Sequence, residues 1–126
     1  MDIALWSLQG LLALIMLGAG GMKLTKTKDE MKAIGGDKMA WVDSVSATTI
    51  RLIGLSEVLI ALGLVLPQLT GILPWLTPLA AVGLVLTMIG ATALHVKRGE
   101  GAPPMNLVLL ALAAFVAYGR FVLLPA

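Results

Sequence analysis

A single glutamate lies within an otherwise apolar stretch and is the first candidate for chemistry. In residues 52–66, Glu57 and Ser56 are the polar side chains. A charged side chain at membrane depth costs roughly 2.5–3.5 kcal/mol on insertion scales, so interactions inside the protein must offset this cost. Gly54 at i−3 and Ala61 at i+4 share the helical face of Glu57. This narrow stripe suits close helix packing and predicts that the carboxylate points into a helix bundle.

Two interpretations of Glu57 follow from this position. In the first, a protonated or ion-paired carboxyl holds neighbouring helices together. In the second, the carboxylate accepts a proton or binds a ligand, because ionisable groups at membrane depth often mark functional sites. The sequence leaves both open.

Four further polar residues are predicted to gather above Glu57 at one end of the bundle, as a candidate ligand-binding ring: Lys23, Arg51, His95 and Asn106. Lys23 and His95 each end a predicted helix, where the helix dipole favours a cation. Arg51 precedes Glu57 by six residues; it either extends to lipid headgroups or pairs with Glu57 or a bound anion. The alternative is that each residue simply marks the membrane interface.

Several kinds of chemistry are excluded by residue counts. The chain has no cysteine and one histidine, His95. Disulfides, thiol redox chemistry, bis-histidine haem and multi-histidine metal sites therefore cannot form within one chain, and no metal site is expected. A histidine beside a buried glutamate can still relay protons or hydrogen-bond a quinone carbonyl, so quinone is the cofactor considered. Whether the chain is an enzyme stays open.

Composition predicts an all-α membrane protein with one domain, residues 1–126. The chain is 59% hydrophobic and 13% charged, whereas soluble domains are about 25% charged. The net charge of +2 does not indicate a nucleic-acid partner. Uncharged runs of about 20 residues can cross a bilayer. We expect a four-helix bundle with spans at about 3–23, 48–66, 76–95 and 105–122, with Pro67 ending the second.

Charge distribution predicts the topology of this multi-pass protein. Loops 23–47 and 95–104 hold most basic residues, so the positive-inside rule places them in the cytoplasm, with both termini outside the cytoplasmic (inner) membrane. Arg120 lies near the other face and weakens this assignment, and the inverted topology is the alternative.

Three residues are expected to anchor the protein at the membrane interface: Trp41, Trp75 and Arg120. Trp41 belongs to residues 37–45, where Met39, Val42 and Val45 share its face. This pattern predicts a short interfacial helix between spans one and two, with an ordinary loop as the alternative.

The chain contains a faint internal echo. Residues 16–26 resemble residues 88–98, which aligns Lys23 with His95. Either two helical hairpins are repeated, as in some transporters, or the likeness is a coincidence in an apolar sequence.

Several short motifs recur in an order and spacing typical of one family: Gly20-Gly-Met-Lys23-Leu24, Gly54-Leu-Ser-Glu57-Val58, Gly90-Ala91, His95-Val-Lys-Arg98-Gly99 and Gly119-Arg120. Together they resemble the DoxX-like family of small four-helix membrane proteins. The resemblance implies a four-helix bundle associated with membrane oxidoreductase complexes and quinone-linked oxidation. Lys23, Glu57, His95 and Arg120 match the motifs. The thiol mechanism of the wider superfamily cannot apply, since cysteine is absent.

Three functional hypotheses follow. The first is a non-catalytic membrane subunit, or a partner that binds a lipid or small molecule at the buried polar site. The second is a quinone-interacting subunit of a membrane oxidoreductase complex, and the third is a small proton-coupled transporter. The expected partners are the lipid membrane, a redox-complex subunit or further copies of the chain.

Overall fold

The computed structural model describes residues 1–123, and these residues form helices and short connections without a β-strand. The α-helices are α1 (Asp2–Thr25), α2 (Lys28–Gly35), α3 (Ala47–Thr70), α4 (Leu76–Lys97) and α5 (Pro104–Tyr118). A 3-10 helix (Gly36–Ser44) joins α2 to α3, and a π-helical turn (Gly119–Leu123) continues α5. Four helices, with α5 counted through this turn, are long and apolar enough to cross a membrane. The predicted all-α bundle of four spans is confirmed.

The four long helices pack in a ring in which each contacts its neighbours in sequence. α1 packs on α3, α3 on α4, α4 on α5, and α5 closes the ring against α1. Successive spans run in opposite directions, so α2, the 3-10 helix and the α4–α5 connection lie at one end of the bundle. We call this the loop end, and the other, where residue 1 lies, the terminal end. The side of the membrane that each end faces remains a prediction.

Glycine allows α1 and α3 to approach closely. A Cβ added to Gly20 would lie 2.6 Å from the carbonyl oxygen of Gly54, and one added to Gly54 would lie 2.8 Å from Cβ of Lys23. Small residues at such a crossing bring helix backbones together. Lys23 and Glu57 each follow these glycines by three residues, so they share the contacting faces.

Pro67 does not end the second span, contrary to expectation. α3 continues through Pro67 to Thr70 and ends at Gly71, which adopts a left-handed conformation with φ of 74°. A proline within a helix lacks the N–H donor and clashes with the carbonyl four residues earlier, here that of Gly63, and neighbouring groups in a membrane protein can satisfy the freed backbone. One residue further along, the side-chain amide of Gln9 on α1 donates to the Leu64 carbonyl, at 2.7 Å.

The segment of α2 and the 3-10 helix, residues 28–44, forms a cap over the loop end. Thr27 begins it with a capping box: its hydroxyl accepts from the Glu30 amide at 3.1 Å, and the Glu30 carboxylate accepts from the Thr27 amide at 3.0 Å. The backbone bond from Thr27 lowers the pKa of Glu30. Met31 and Val42 are buried against Ile50 of α3.

The predicted short helix between spans one and two is present as the 3-10 helix, but its apolar face covers a different surface from the expected one. Val42 is buried, and Met39, Trp41 and Val45 pack around the same small core, so the apolar face covers protein. The periodicity of a segment shows that one face is apolar, but it does not distinguish lipid from another helix as the surface that this face covers.

The close crossing of α1 and α3 predicts opposite effects of alanine at two glycines. Gly20→Ala forces the backbones apart and is expected to destabilise the protein by about 1–3 kcal/mol. A Cβ on Gly18 meets nothing within 4 Å, so Gly18→Ala should be neutral or stabilising by up to about 1 kcal/mol through helix propensity. Thermal unfolding in detergent measures both. Equal stability of the two variants would contradict the close crossing.

Candidate functional site

A buried ion pair between α1 and α3 forms the centre of the site. The ammonium nitrogen of Lys23 lies 2.8 Å from Oε1 of Glu57. Glu57 is 3% exposed, and the Lys23 side chain is 11% exposed. Side chains on a helix lean toward its N-terminus. Because α1 and α3 are antiparallel, Lys23 leans into the bundle while Glu57 leans toward the loop end, and the two charges meet.

The ion pair leaves hydrogen-bonding capacity on the carboxylate. Glu57 Oε1 has no aligned hydrogen bond from any residue in the described range 1–123, although the Lys23 ammonium lies within contact distance. A charged group taken out of water needs its remaining lone pairs satisfied as well as its charge paired. The carboxylate can therefore accept a further hydrogen bond from a bound molecule.

The ion pair lines a cavity of about 440 Å³ within the loop-end half of the bundle. All four spanning helices and Trp41 of the cap contribute to its wall. Its polar lining residues are Lys23, Ser56, Glu57, Thr87, His95 and Asn106, and the rest of the lining is mostly aliphatic. A cavity of this size, apolar with a few polar groups, has the form of a small-molecule site.

The structure brings together four of the five residues predicted to bind a ligand. Lys23, Glu57, His95 and Asn106 all line the cavity. Arg51 does not: it is exposed, and its guanidinium donates to the Leu24 carbonyl at the end of α1. Six residues separate Arg51 from Glu57, which places them about 120° apart around α3.

His95 lines the cavity and also takes part in a group of polar contacts with Glu100 and Arg98, which we call the clasp. Its Nδ1 lies 3.1 Å from Oε2 of Glu100, which leaves Nε2 as the ring nitrogen available to the cavity. Arg98 also donates to Glu100. The hydrogen bond with His95, assisted by Arg98, lowers the pKa of Glu100, so the carboxylate stays charged at lower pH than usual.

Arg98 connects this clasp to the cap. Its Nη1 donates to the Ala40 carbonyl at 2.9 Å and to the Ser44 hydroxyl at 2.7 Å. From the sequence, Arg98 is a basic residue beside the loop and part of the motif that begins at His95. Nothing in the local sequence indicates these bonds, because the acceptors lie more than 50 positions away.

Trp41 was predicted to anchor the chain among lipid headgroups, and the structure places it elsewhere. Its ring lies 5.7 Å from the Lys23 ammonium and borders the cavity. Cation–π attraction of this kind favours the charged ammonium beneath the cap. Trp75 is exposed in the turn at the terminal end, a position compatible with the predicted anchor.

Arg120 is buried in a second polar cluster at the terminal end, which contradicts its expected role as an anchor extended to headgroups. The residue is 2% exposed. Its Nε donates to Gln9 at 2.7 Å, its Nη1 donates to Asp2 at 2.8 Å, and its guanidinium stacks 5.6 Å from the Trp6 ring. The Asp2 carboxylate pairs with the guanidinium inside the protein, so the charge of Arg120 is compensated without a lipid phosphate.

Gln9 extends this cluster to α3. Besides the Leu64 carbonyl, its amide donates to Gln68 Oε1 at 3.1 Å. Asp2 and Gln9 are seven residues apart on α1 and thus share a face. That spacing is the sequence signal that could have indicated the cluster.

Comparison with known families agrees with this architecture. A model of the DoxX-like family matches residues 7–116. The chain belongs to the DoxX-like family. No curated protein and no solved structure matches it significantly. The matched range contains Lys23, Glu57, His95 and Asn106 of this DoxX-like protein and ends before Arg120. Family and helix lengths together establish a small multi-pass membrane protein.

The ion pair predicts strongly non-additive effects of substitution. Lys23→Met leaves Glu57 buried without its partner and is expected to cost about 3–5 kcal/mol, whereas Lys23→Met combined with Glu57→Gln should recover most of this loss. Lys97→Met, an exposed lysine at the end of α4, serves as the matched control and should change stability by less than about 0.5 kcal/mol. Unfolding in detergent gives each value. Additive losses would show that the two side chains do not interact.

Proposed function

We propose that this DoxX-like protein is a non-catalytic membrane protein that binds a small, uncharged, lipid-like molecule in the loop-end cavity. The observation that carries the proposal is the Lys23–Glu57 pair on the wall of a largely apolar cavity. An ion pair held there without full hydrogen bonding offers both a donor and an acceptor to a bound molecule.

The charge balance of the cavity supports an uncharged ligand. The charges of Lys23 and Glu57 cancel, so a net charge on the ligand would be left without a partner in a region of low dielectric constant. A hydroxyl group can instead accept from the ammonium or donate to the carboxylate, and a carbonyl group can accept from the ammonium. Aliphatic side chains such as Ile15, Met88 and Leu109 suit the apolar part of the molecule.

The arrangement of His95 supports binding over catalysis. A proton relay between this imidazole and the buried carboxylate would require a hydrogen bond between them, directly or through one water. Within residues 1–123, His95 Nδ1 pairs with Glu100 outside the cavity, and no hydrogen bond joins His95 to Glu57.

Quinone binding, as a subunit of a membrane oxidoreductase complex, is the second candidate. It is favoured by two donors that line the cavity, the Lys23 ammonium and the Asn106 amide. A quinone ring is uncharged and presents a carbonyl at each of two opposite edges, and each carbonyl can accept a hydrogen bond from such a donor.

Native mass spectrometry of the protein released from its source membrane tests the first candidate. The parent chain and Arg51→Gln, a matched change at the loop end outside the cavity, should both retain an uncharged small molecule. Lys23→Met combined with Glu57→Gln keeps the cavity but removes the ion pair, so it should lose the molecule. Retention by this double variant would contradict the proposal, as would proton flux in liposomes that depends on Glu57.

Fluorescence of Trp41 tests the quinone candidate. With Trp6→Phe and Trp75→Phe as background, Trp41 becomes the only tryptophan. A fully substituted benzoquinone with a decyl chain should quench it saturably, and Asn106→Ala should weaken binding about tenfold by removing one hydrogen bond of about 1.4 kcal/mol. Equal affinity in Asn106→Ala would reject the quinone role of Asn106, and absence of saturable quenching would reject the candidate.

A further inference from the structure

The seam between α3 and α4 is closed in its terminal half. A Cβ on Gly63 would lie 2.9 Å from Cβ of Ala80, and one on Gly83 would lie 3.7 Å from the side chain of Ile60. These contacts pair antiparallel positions in one register, with Gly63 opposite Ala80 and Ile60 opposite Gly83. Continued toward the loop end, the same register sets Ser56 opposite Thr87 and Ile53 opposite Gly90.

The same seam is open in its loop-end half. Ile53, Ser56, Thr87 and Gly90 continue the contacting stripes of the two helices, yet all four line the cavity. A Cβ on Gly90 would meet nothing within 4 Å. The two helices therefore touch near the terminal end and leave a gap between them near the loop end.

This gap faces the lipid. Ser56 and Gly90 line the cavity, and both residues are exposed. Ser56 lies between the exposed leucines 52 and 59 on its own helix, and Gly90 lies four residues after the exposed Leu86. We call the gap bordered by Ser56 and Gly90 the portal.

The aqueous side of the cavity is covered. Trp41 lies over Lys23, and Arg98 bonds the cap to the end of α4 through Ala40 and Ser44. A volume of about 440 Å³ lies at the lower end for small-molecule sites, enough for a ring-sized group but not for a long chain as well.

From these features, and building on the proposed function, we infer that the cavity is filled sideways from the bilayer. The occupant is an amphiphile whose uncharged polar group enters through the portal and reaches Lys23 and Glu57. Its apolar tail remains between α3 and α4 and extends into the surrounding lipid. The small side chains of Ser56 and Gly90 at the portal leave room for the tail. A side chain as large as the neighbouring leucines would fill the gap.

A pair of matched glycine substitutions tests this route. Gly90→Phe narrows the portal. Gly18→Phe adds the same side chain at an exposed, open position that, like Gly90, lies seven residues before its helix ends. Both are made in the Trp41-only chain, reconstituted in phosphatidylcholine vesicles. The probes are the decyl-chain benzoquinone, which has a tail, and tetramethylbenzoquinone, which has none.

In Gly90→Phe, binding of the tailed probe should fall at least tenfold, while affinity for the tailless probe stays within twofold of the parent. Gly18→Phe should bind both like the parent. Unchanged binding of the tailed probe in Gly90→Phe overturns the portal, as does equal loss of both probes, which would make Gly90 an ordinary part of the binding wall. In both cases the proposed function stands. If neither probe quenches the parent chain, the cavity accepts no quinone ring, which overturns the inferred route and rejects the quinone candidate, whereas the first candidate is decided separately by the native mass spectrometry.

Discussion

The burial of the Glu57 carboxylate beside the Lys23 ammonium is the constraint on which the loop-end half of the bundle depends. A carboxylate this far from water requires a cation within contact distance, because pairing through the low-dielectric interior is its main compensation. The 2.8 Å contact demands that α1 and α3 approach closely, and glycines at positions 20 and 54 permit this approach. α1 and α3 are close together at the ion pair, whereas α3 and α4 leave a gap between them near the loop end. The cavity lies between these helices, beside the ion pair.

The polar groups of the spanning helices fall into two clusters with different surroundings. At the terminal end, Arg120 and Gln9 are buried among partners from α1 and α3 and border none of the described cavities. At the loop end, Lys23 and Glu57 line a cavity and retain bonding capacity. Buried polar networks whose members are satisfied make a core rigid and specific. The first cluster therefore fits a structural role, whereas the second fits recognition of a ligand.

The sequence predicts those features that depend on local pattern. Uncharged runs of sufficient length locate the four helices. Small residues on the face of Glu57 indicate that its carboxylate points inward, and Lys23, His95 and Asn106 can be grouped from the sequence because each lies at the loop end of the bundle. The spacing of Asp2 and Gln9 on α1 is a further local signal, because residues seven apart share a helical face.

Features that depend on distant partners were not predictable in this way. Whether Lys23 or Arg51 pairs with Glu57 depends on the rotation of α1 against α3, which single-chain periodicity does not give. Trp41 and Arg120 have the residue types of interfacial anchors, but each finds a partner inside the protein, at Lys23 and at Asp2. Whether a proline ends a helix or is accommodated within it, as Pro67 is in α3, likewise depends on surroundings that the local pattern does not show.

Solid-state NMR in lipid bilayers tests the buried pair most directly. The measurement is dipolar recoupling between ¹⁵N at the lysine ammonium groups and ¹³C at the glutamate carboxyl groups. The chain has only three glutamates, so the signal that disappears in Glu57→Gln belongs to this site. We predict strong dephasing of that signal by a lysine nitrogen at ion-pair distance, abolished by Lys23→Met and retained in Lys97→Met. A Glu57 signal that lysine ¹⁵N does not dephase would contradict the account.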